Sequence, residues 1–202
     1  MGVDQLSFVS RETIQKLRAF EALVLKWTKK INLVSSGDAQ HLWDRHIIDS
    51  AQIYPHAPPS GDWLDIGSGG GFPGIVAAII GAELDPQRCF TFVDSDQRKC
   101  AFLRTVSREL GLNATVLAAR VDEIPPIGAT VLTARALDDL TSLLYHAERH
   151  LLASGTALFP KGASWQKENE EAMKFWSYSL DVISSETNSD ATILKIKELS
   201  RV

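Results

Sequence analysis

The run Asp65-Ile66-Gly67-Ser68-Gly69-Gly70-Gly71 constrains this chain more than any other stretch of it. Trp63-Leu64-Asp65-Ile66 has the apolar character of a short buried strand, and Phe72-Pro73 marks the opening of a helix, since proline suits the first helical turn. Between them, glycines let the backbone turn sharply and approach a ligand more closely than any Cβ permits. Strand, glycine-rich turn and helix together start an open parallel sheet, which binds its ligands outside the carboxyl ends of the strands.

The rest of the sequence supports that sheet. Cys89-Phe90-Thr91-Phe92-Val93 predicts a second strand ending at Asp94, and Asp96 caps a helix with the stripe Cys100, Leu103, Val106 and Leu110, ended by Gly111. Strands are expected at Thr115–Leu117, Thr130–Leu132 and Thr156–Phe159, with helices at Asp138–Leu152 and Trp165–Trp176. Two last strands, Leu180–Ile183 and Thr192–Ile196, have only a turn between them, so they cannot be parallel neighbours and one is an antiparallel hairpin partner. The fold class is α/β: a Rossmann-like, seven-stranded, mostly parallel sheet.

Ahead of it stands a helical extension. Ile14, Leu17, Phe20, Val24, Trp27 and Ile31 recur at helical spacing behind Ser10 as N-cap, and Asp38 reads as the cap of a second helix carrying Leu42, Ile47, Ile48 and Ala51. The Pro58-Pro59-Ser60-Gly61 stretch reads as a linker, which divides the chain into an extension or lid over 1–60 and a compact sheet domain over 61–202.

The glycine loop has two possible ligands. Gly69-Gly70-Gly71-Phe72-Pro73-Gly74 satisfies the dinucleotide pattern G-x-G-x-x-G, which alone is a weak signal. Two features favour S-adenosylmethionine instead. Asp65, at the strand end, suits a cationic methionine moiety, and Phe72-Pro73 occupies the helix start where a pyrophosphate needs free N–H donors. Asp94, about 20 residues on, stands where a ribose-binding carboxylate is expected. Asp122, in Arg120-Val121-Asp122-Glu123 after the third strand, is placed to accept from the adenine amine, although a solvated acid is the plainer reading.

Collinear blocks then resemble one family. Ile31-Asn32-Leu33-Val34, Arg45-His46-Ile47-Ile48-Asp49-Ser50 and Leu64 to Ile75 are similar to the 16S ribosomal RNA guanine-N7 methyltransferases, also called glucose-inhibited division protein B. Phe92-Val93-Asp94-Ser95, Lys99, Phe102-Leu103-Arg104, Arg120 to Glu123, Ala134-Arg135-Ala136 and Lys161-Gly162 continue the match. The resemblance implies a cytoplasmic, monomeric enzyme that methylates N7 of a guanine in the decoding-region loop of bacterial 16S rRNA, presented as rRNA or as the small ribosomal subunit. It implies cofactor contacts from Gly67, Phe72, Val121, Asp122 and Arg135, which join Asp65, Gly69, Gly71, Asp94 and Ser95 of the glycine loop and second strand end, and lid or RNA contacts from Arg45, His46, Lys99 and Arg104. Ala134 stands where the family often has serine, and Asp138-Asp139 where less acidic residues are usual.

The chemistry agrees with that family. Guanine N7 carries a free lone pair at neutral pH, so its attack on a sulfonium methyl needs alignment rather than a general base. The Asn/Asp-Pro-Pro-aromatic loop of exocyclic-amine methylation is absent, since Thr133-Ala134-Arg135-Ala136 stands in its place. Pyrimidine-C5 methylation needs a cysteine beside the cofactor, whereas Cys89 lies at the wrong end of its strand and Cys100 on a helix. Arg135 and Lys161, at carboxyl ends of strands, are the candidates for holding phosphate or guanine O6.

Composition narrows the partners. The net charge of −4 argues against polyanion binding by the whole surface. A local basic patch of Arg11, Lys16, Arg18, Lys26, Lys29 and Lys30 is as reasonable as an ordinary solvated helix face. Two cysteines without a Cys/His cluster suggest neither zinc nor disulfides. No leader pattern or acylation signal opens the chain, and no apolar run approaches the roughly 20 residues that span a bilayer, so no membrane is expected. A methyltransferase acting on another RNA, a protein or a small molecule would share the cofactor site, and an NAD enzyme or a non-catalytic nucleotide binder would share its glycine loop.

Overall fold

The computed structural model describes residues 6–202; the opening residues where a leader or acylation signal is sought lie outside them. A seven-stranded sheet runs through the molecule in the order β3-β2-β1-β4-β5-β7-β6, from β1 (Trp63–Ile66), β2 (Phe90–Asp94), β3 (Ala114–Ala118), β4 (Ala129–Ala134), β5 (Leu151–Lys161), β6 (Trp176–Ser184) and β7 (Thr192–Arg201). The first five are parallel. β7 enters antiparallel between β5 and β6, so the closing pair forms the hairpin expected of it, and both its strands run against β5 or one another.

Central strands of such a sheet are covered on both faces and lose the polar/apolar alternation of a one-sided sheet. Trp63–Ile66 is accordingly buried at all four positions. One face carries α6 (Leu140–His150) and α7 (Trp165–Ala172), whose Leu140, Leu143, Leu144 and Ala172 meet Leu64, Ile66 and Leu132. The other carries α4 (Gly74–Leu84) and α5 (Gln97–Glu109).

The leading segment lies over α4 as a further layer. It comprises α1 (Arg11–Thr28), the short α2 (Ser36–Ala39), a wide π-type turn Trp43–Ile48 and α3 (Asp49–Ala51). Residues Gly74 to Gly81 are buried without a break, so the first two turns of α4 are wet on neither side: the sheet covers one flank and α1, Ile47 and Ile48 the other. Phe20 of α1 is fully buried, with its ring 5.2 Å from Phe72 and 6.4 Å from Phe102. Burial of such a side chain stabilises the fold by about 1.5–3 kcal/mol. Ser10 caps α1 as its sequence suggests, accepting from the Thr13 amide at 3.2 Å, and Glu83 of α4 receives both the Ser10 amide and, at 2.5 Å, the Thr13 hydroxyl.

Two caps differ from expectation. Ser35, not Asp38, caps α2: its Oγ accepts from the Asp38 amide at 3.1 Å while donating to that carboxylate at 2.6 Å. Asp139, not Asp138, caps α6 through the Ser142 amide, so the helix starts at Leu140 and stops at His150, where β5 begins.

Candidate functional site

Parallel registration brings the carboxyl ends of four strands to one edge. Asp65 is paired with Phe92 on β2 and Thr133 on β4, and Val93 with Leu117 on β3, so Gly67, Asp94, Ala118 and Arg135 all leave the sheet together. Above them lies a cleft of about 360 Å³, lined among others by Gly67, Asp94, Ser95, Lys99, Val121 and Asp122.

The glycine loop and Asp94 form one unit. Gly67 and Gly69 have φ of +62° and +51°, the left-handed region that side chains seldom enter. A Cβ on Gly67 would lie 2.7 Å from Cδ1 of Leu137. With the chain so turned, the Gly69 amide donates to Oδ2 of Asp94 at 2.8 Å, and the Asp96 amide donates to Oδ1 at the same distance. Each carboxylate oxygen accepts along two lone-pair directions, so both retain an acceptor for a ligand hydroxyl. Asp94 is only 9% exposed, and that remaining surface faces the cleft.

Asp65 behaves otherwise than expected. The strand alternation turns it beneath the loop, where it is fully enclosed and lines no part of the cleft. Its Oδ1 accepts from Thr133 Oγ1 at 2.6 Å, and its Oδ2 faces Gly74 so closely that a Cβ there would sit 2.5 Å away. Burial pushes its carboxyl up to about 6, against the Thr133 and Ser68 hydrogen bonds and the nearby charge of Arg135. A carboxyl held against the first turn of α4 takes the place an anion would want at that helix end. The start of α4 therefore suits a cation over the loop better than a pyrophosphate. Gly71 and Phe72 are also behind the cleft wall: the former turns the chain beside Phe20 and Ile75, the latter is buried.

Opposite Asp94, the turn Val121–Glu123 forms the far wall, with Asp122 3.4 Å from Nδ1 of His146 on α6. His146 and Leu137 were not foreseen as lining residues. His146 could have been noticed as a polar residue within the apolar stripe Leu140, Leu143, Leu144, Ala147; nothing in the sequence singles out Leu137.

Arg135 turns inward from the end of β4. Its guanidinium lies 5.2 Å from the Phe72 ring centroid and 3.5 Å from Oδ2 of Asp49, and contacts Nδ1 of His46. An arginine only donates, so the histidine nitrogen accepts and the ring is neutral. Burial, then the charge of Arg135, pull the His46 imidazolium down to about 4. Lys161 is nearly enclosed; its Nζ donates at 2.8 Å to the Asp138 carbonyl and at 2.8 Å to Glu168, which bind it into the turn after β4 rather than leaving it free for a phosphate. That turn contains Ala136 at φ +53°, a conformation costing about 1–2 kcal/mol for a residue with a Cβ.

The remaining cations spread outward. Lys99 lines the cleft, and Arg45 is exposed, 3.3 Å from Asp38. Arg104 lies away from the cleft on α5, donating to the Val116 carbonyl at 3.2 Å. Arg11, Lys16, Arg18 and Lys26 of α1, and Lys29 and Lys30 just beyond it, are all exposed, but they do not share one face, and the Arg18 guanidinium stacks on the Trp43 ring at 3.3 Å and pairs with Glu21. Cys100 is buried with its thiol pushed up by desolvation, and Cys89 lies at the amino-terminal end of β2. Among the described residues no group of three or more His, Cys, Asp or Glu is arranged to hold a metal, and no helix is long and apolar enough to cross a membrane.

Comparison with known proteins agrees with this geometry. Residues 13–192 match the family described as rRNA small subunit methyltransferase G. A ribosomal RNA small subunit methyltransferase G of Ruegeria pomeroyi is 52% identical over 194 residues, covering 96% of this chain and 95% of the relative. One of Jannaschia is 42% identical, covering 94% and 90%. Among solved structures, a SAM-dependent methyltransferase from Aquifex aeolicus superposes with a TM-score of 0.61 over 85% of this chain and 97% of that one, at 12% identity. TYW2 of M. jannaschii in complex with AdoMet does so with a TM-score of 0.58 over 87% and 80%, at 10% identity. Those two likenesses concern the fold.

Proposed function

Because this chain belongs to the rRNA small subunit methyltransferase G family, we propose that it methylates N7 of a guanine in the decoding-region loop of bacterial 16S rRNA, using S-adenosylmethionine. The observation that carries the reading is the carboxylate of Asp94, locked by two backbone amides with an acceptor left over on each oxygen. That is the pair of acceptors a ribose diol requires. Val121 and Asp122 would flank the adenine, and Gly67 leaves open the path of the methionine moiety, with the field of buried Asp65 beneath it. Asp65 thus acts through its charge, not by contact. When bound, the cofactor supplies a methyl group on a positively charged sulfur.

The chain's own residues have a limited task. N7 needs no proton removed, and the side chains near the transfer point supply no strong base: His46 is kept neutral with Nδ1 engaged by Arg135. Arg135 is fixed beside Phe72 and suited to guanine O6 or an adjoining phosphate through its fork of donors. Lys161 contributes by fixing the turn that carries Arg135 and Leu137. Holding both reactants in an attack geometry removes up to about 7–11 kcal/mol of the barrier.

The exposed cations of α1 lie on a helix packed against α4 and α5. The segment after α1 returns against the glycine loop, where a Cβ on Gly70 would meet the Leu33 carbonyl at 2.9 Å. The cleft lining itself mixes Lys99 and Arg120 with Asp94, Asp122 and Asp138, so it presents no unbroken acidic barrier to RNA. We place the enzyme in the cytoplasm, acting as a monomer on the small subunit or its rRNA. The test is a map of N7-methylguanine in 16S rRNA from cells with and without the gene, and with the gene carrying Arg135→Ala. Loss of one mark in the deletion and in the variant is expected; identical maps would refute the assignment.

A further inference from the structure

Asp49 is the most heavily used carboxylate outside the cleft. Its Oδ2 faces the Arg135 guanidinium at 3.5 Å, while Oδ1 accepts from Gln52 Nε2 at 2.8 Å, Thr187 Oγ1 at 2.9 Å and Ser185 Oγ at 3.2 Å. One side chain thus ties three distant parts of the chain: α3, the end of β4 and the turn between β6 and β7. Surface ion pairs are seldom worth this many partners, but both members here are largely enclosed, at 17% and 18% side-chain exposure.

Among the described residues Arg135 has no other anion at hydrogen-bonding distance. Its remaining neighbours are the His46 nitrogen and the Phe72 ring, neither of which carries a charge, and the buried carboxyl of Asp65 acts on it only through the field. Neither a neutral acceptor nor an aromatic face fixes the direction of a guanidinium as a carboxylate does. On the outer side of the pair, a groove of about 410 Å³ opens between the Trp43–Ile48 turn and the β6–β7 turn, lined by Asp44, Arg45, His46, Asp49, Thr187 and Asn188. The turn that grips Asp49 therefore borders open space beside Asp49, with Asp38 on its rim.

We propose that Asp49 is a positioning residue for methyl transfer: it aims the Arg135 guanidinium at the acceptor, and Ser185 and Thr187 hold it in that attitude from the β6–β7 turn. The inference rests on the reading of Arg135 as an acceptor-positioning group. It explains why a turn contributed by the far edge of the sheet, which bears no residue of the cofactor cleft, is bonded to α3. Substitution at Asp49 should lower kcat, since the guanidinium would still be present but poorly directed. Donor binding should be spared, since Asp49 and its partners line no part of the cofactor cleft.

The test uses the purified full chain, tritiated S-adenosylmethionine and small subunits from cells lacking the mark. Asp49→Asn is expected to lower kcat about 10- to 100-fold with the donor Kd, measured by titration calorimetry with S-adenosylhomocysteine, within twofold of wild type; Asp49→Glu should recover part of the loss. The double substitution Ser185→Ala with Thr187→Val, on an outer turn, should lower kcat several-fold, which covers the case where Asp49→Asn does not fold. Arg135→Ala should be partly rescued by added guanidinium ion, and that rescue should vanish when Asp49→Asn is combined with it. Unimpaired kcat in Asp49→Asn, or in the double variant if Asp49→Asn does not fold, or rescue that survives loss of the carboxylate, would overturn the proposal. Should Arg135→Ala itself keep full activity, the fault lies with the underlying reading of Arg135.

Discussion

Asp94→Asn is the most searching substitution, because it keeps shape and removes one acceptor. In the wild type both oxygens of Asp94 accept a backbone N–H, from Gly69 and Asp96, each at 2.8 Å. An asparagine has one oxygen and one NH2. Whichever way the amide lies, one of those N–H groups then faces a donor, and the same side of the residue can no longer accept from a ribose hydroxyl. A hydrogen bond to a charged group is worth about 1.5–3 kcal/mol, and a buried donor left without a partner costs about 1–3 kcal/mol. Part of the second cost falls on the free protein as well, which leaves about 2–3 kcal/mol against binding. At about 1.4 kcal/mol per factor of ten, S-adenosylhomocysteine should bind about 30- to 150-fold more weakly. Titration calorimetry reads this directly, with thermal unfolding as the control for folding. A Kd within threefold of wild type in a folded variant would show that the ribose is not held by Asp94.

Two further outcomes follow from the loop. Gly67→Ala forces a side chain into φ +62° and toward Leu137; it should cost about 1–2 kcal/mol in urea unfolding and weaken donor binding at least about tenfold, as its methyl group meets the cleft, and undiminished affinity would count against the cleft as the donor's seat. Asp65, raised by burial from 3.8 to about 6, gives up its proton less readily folded than unfolded; the wild type therefore loses stability as pH rises from about 4 to about 6, and Asp65→Asn should gain on it by up to about 3 kcal/mol across that window, whereas a pH-independent difference in urea midpoints would contradict the buried ionisation.

Much of this was legible in local pattern. α1 behind Ser10, β1, Asp96 as the cap of α5 and the closing hairpin all follow from spacings within a few residues, which is the range over which periodicity and capping act. Asp94 was legible because its offset from the glycine loop is set by one strand–helix–strand unit. The cap at Ser35 was available too, since Ser35 with Asp38 three residues on is a capping-box pattern, and either residue caps well. Asp138 and Asp139 posed the same ambiguity, and the helix chose the second. The enclosure of Asp65 was not legible, because a strand residue facing Thr133 and one facing a ligand look alike until the neighbouring strand is in register. Nor was the Asp49–Arg135 pair, a single contact between residues far apart in sequence. The wide turn Trp43–Ile48 escaped for a third reason: its buried Trp43, Ile47 and Ile48 fit an ordinary helical stripe equally well.

The dry first two turns of α4 have a consequence for how firmly the leading segment is held. Lifting the leading segment away would wet Phe20, Ile47 and Ile48 together with the flank of α4 they cover, several side chains at about 1.5–3 kcal/mol each. That cost marks the leading segment as a fixed cover over α4. The cover over the cleft is lighter: the short connection bearing Leu137, whose side chain rests over Gly67 at 40% exposure. Loops move on the ns–μs scale, so shifting Leu137 off Gly67 is a far smaller change than lifting the leading segment from α4.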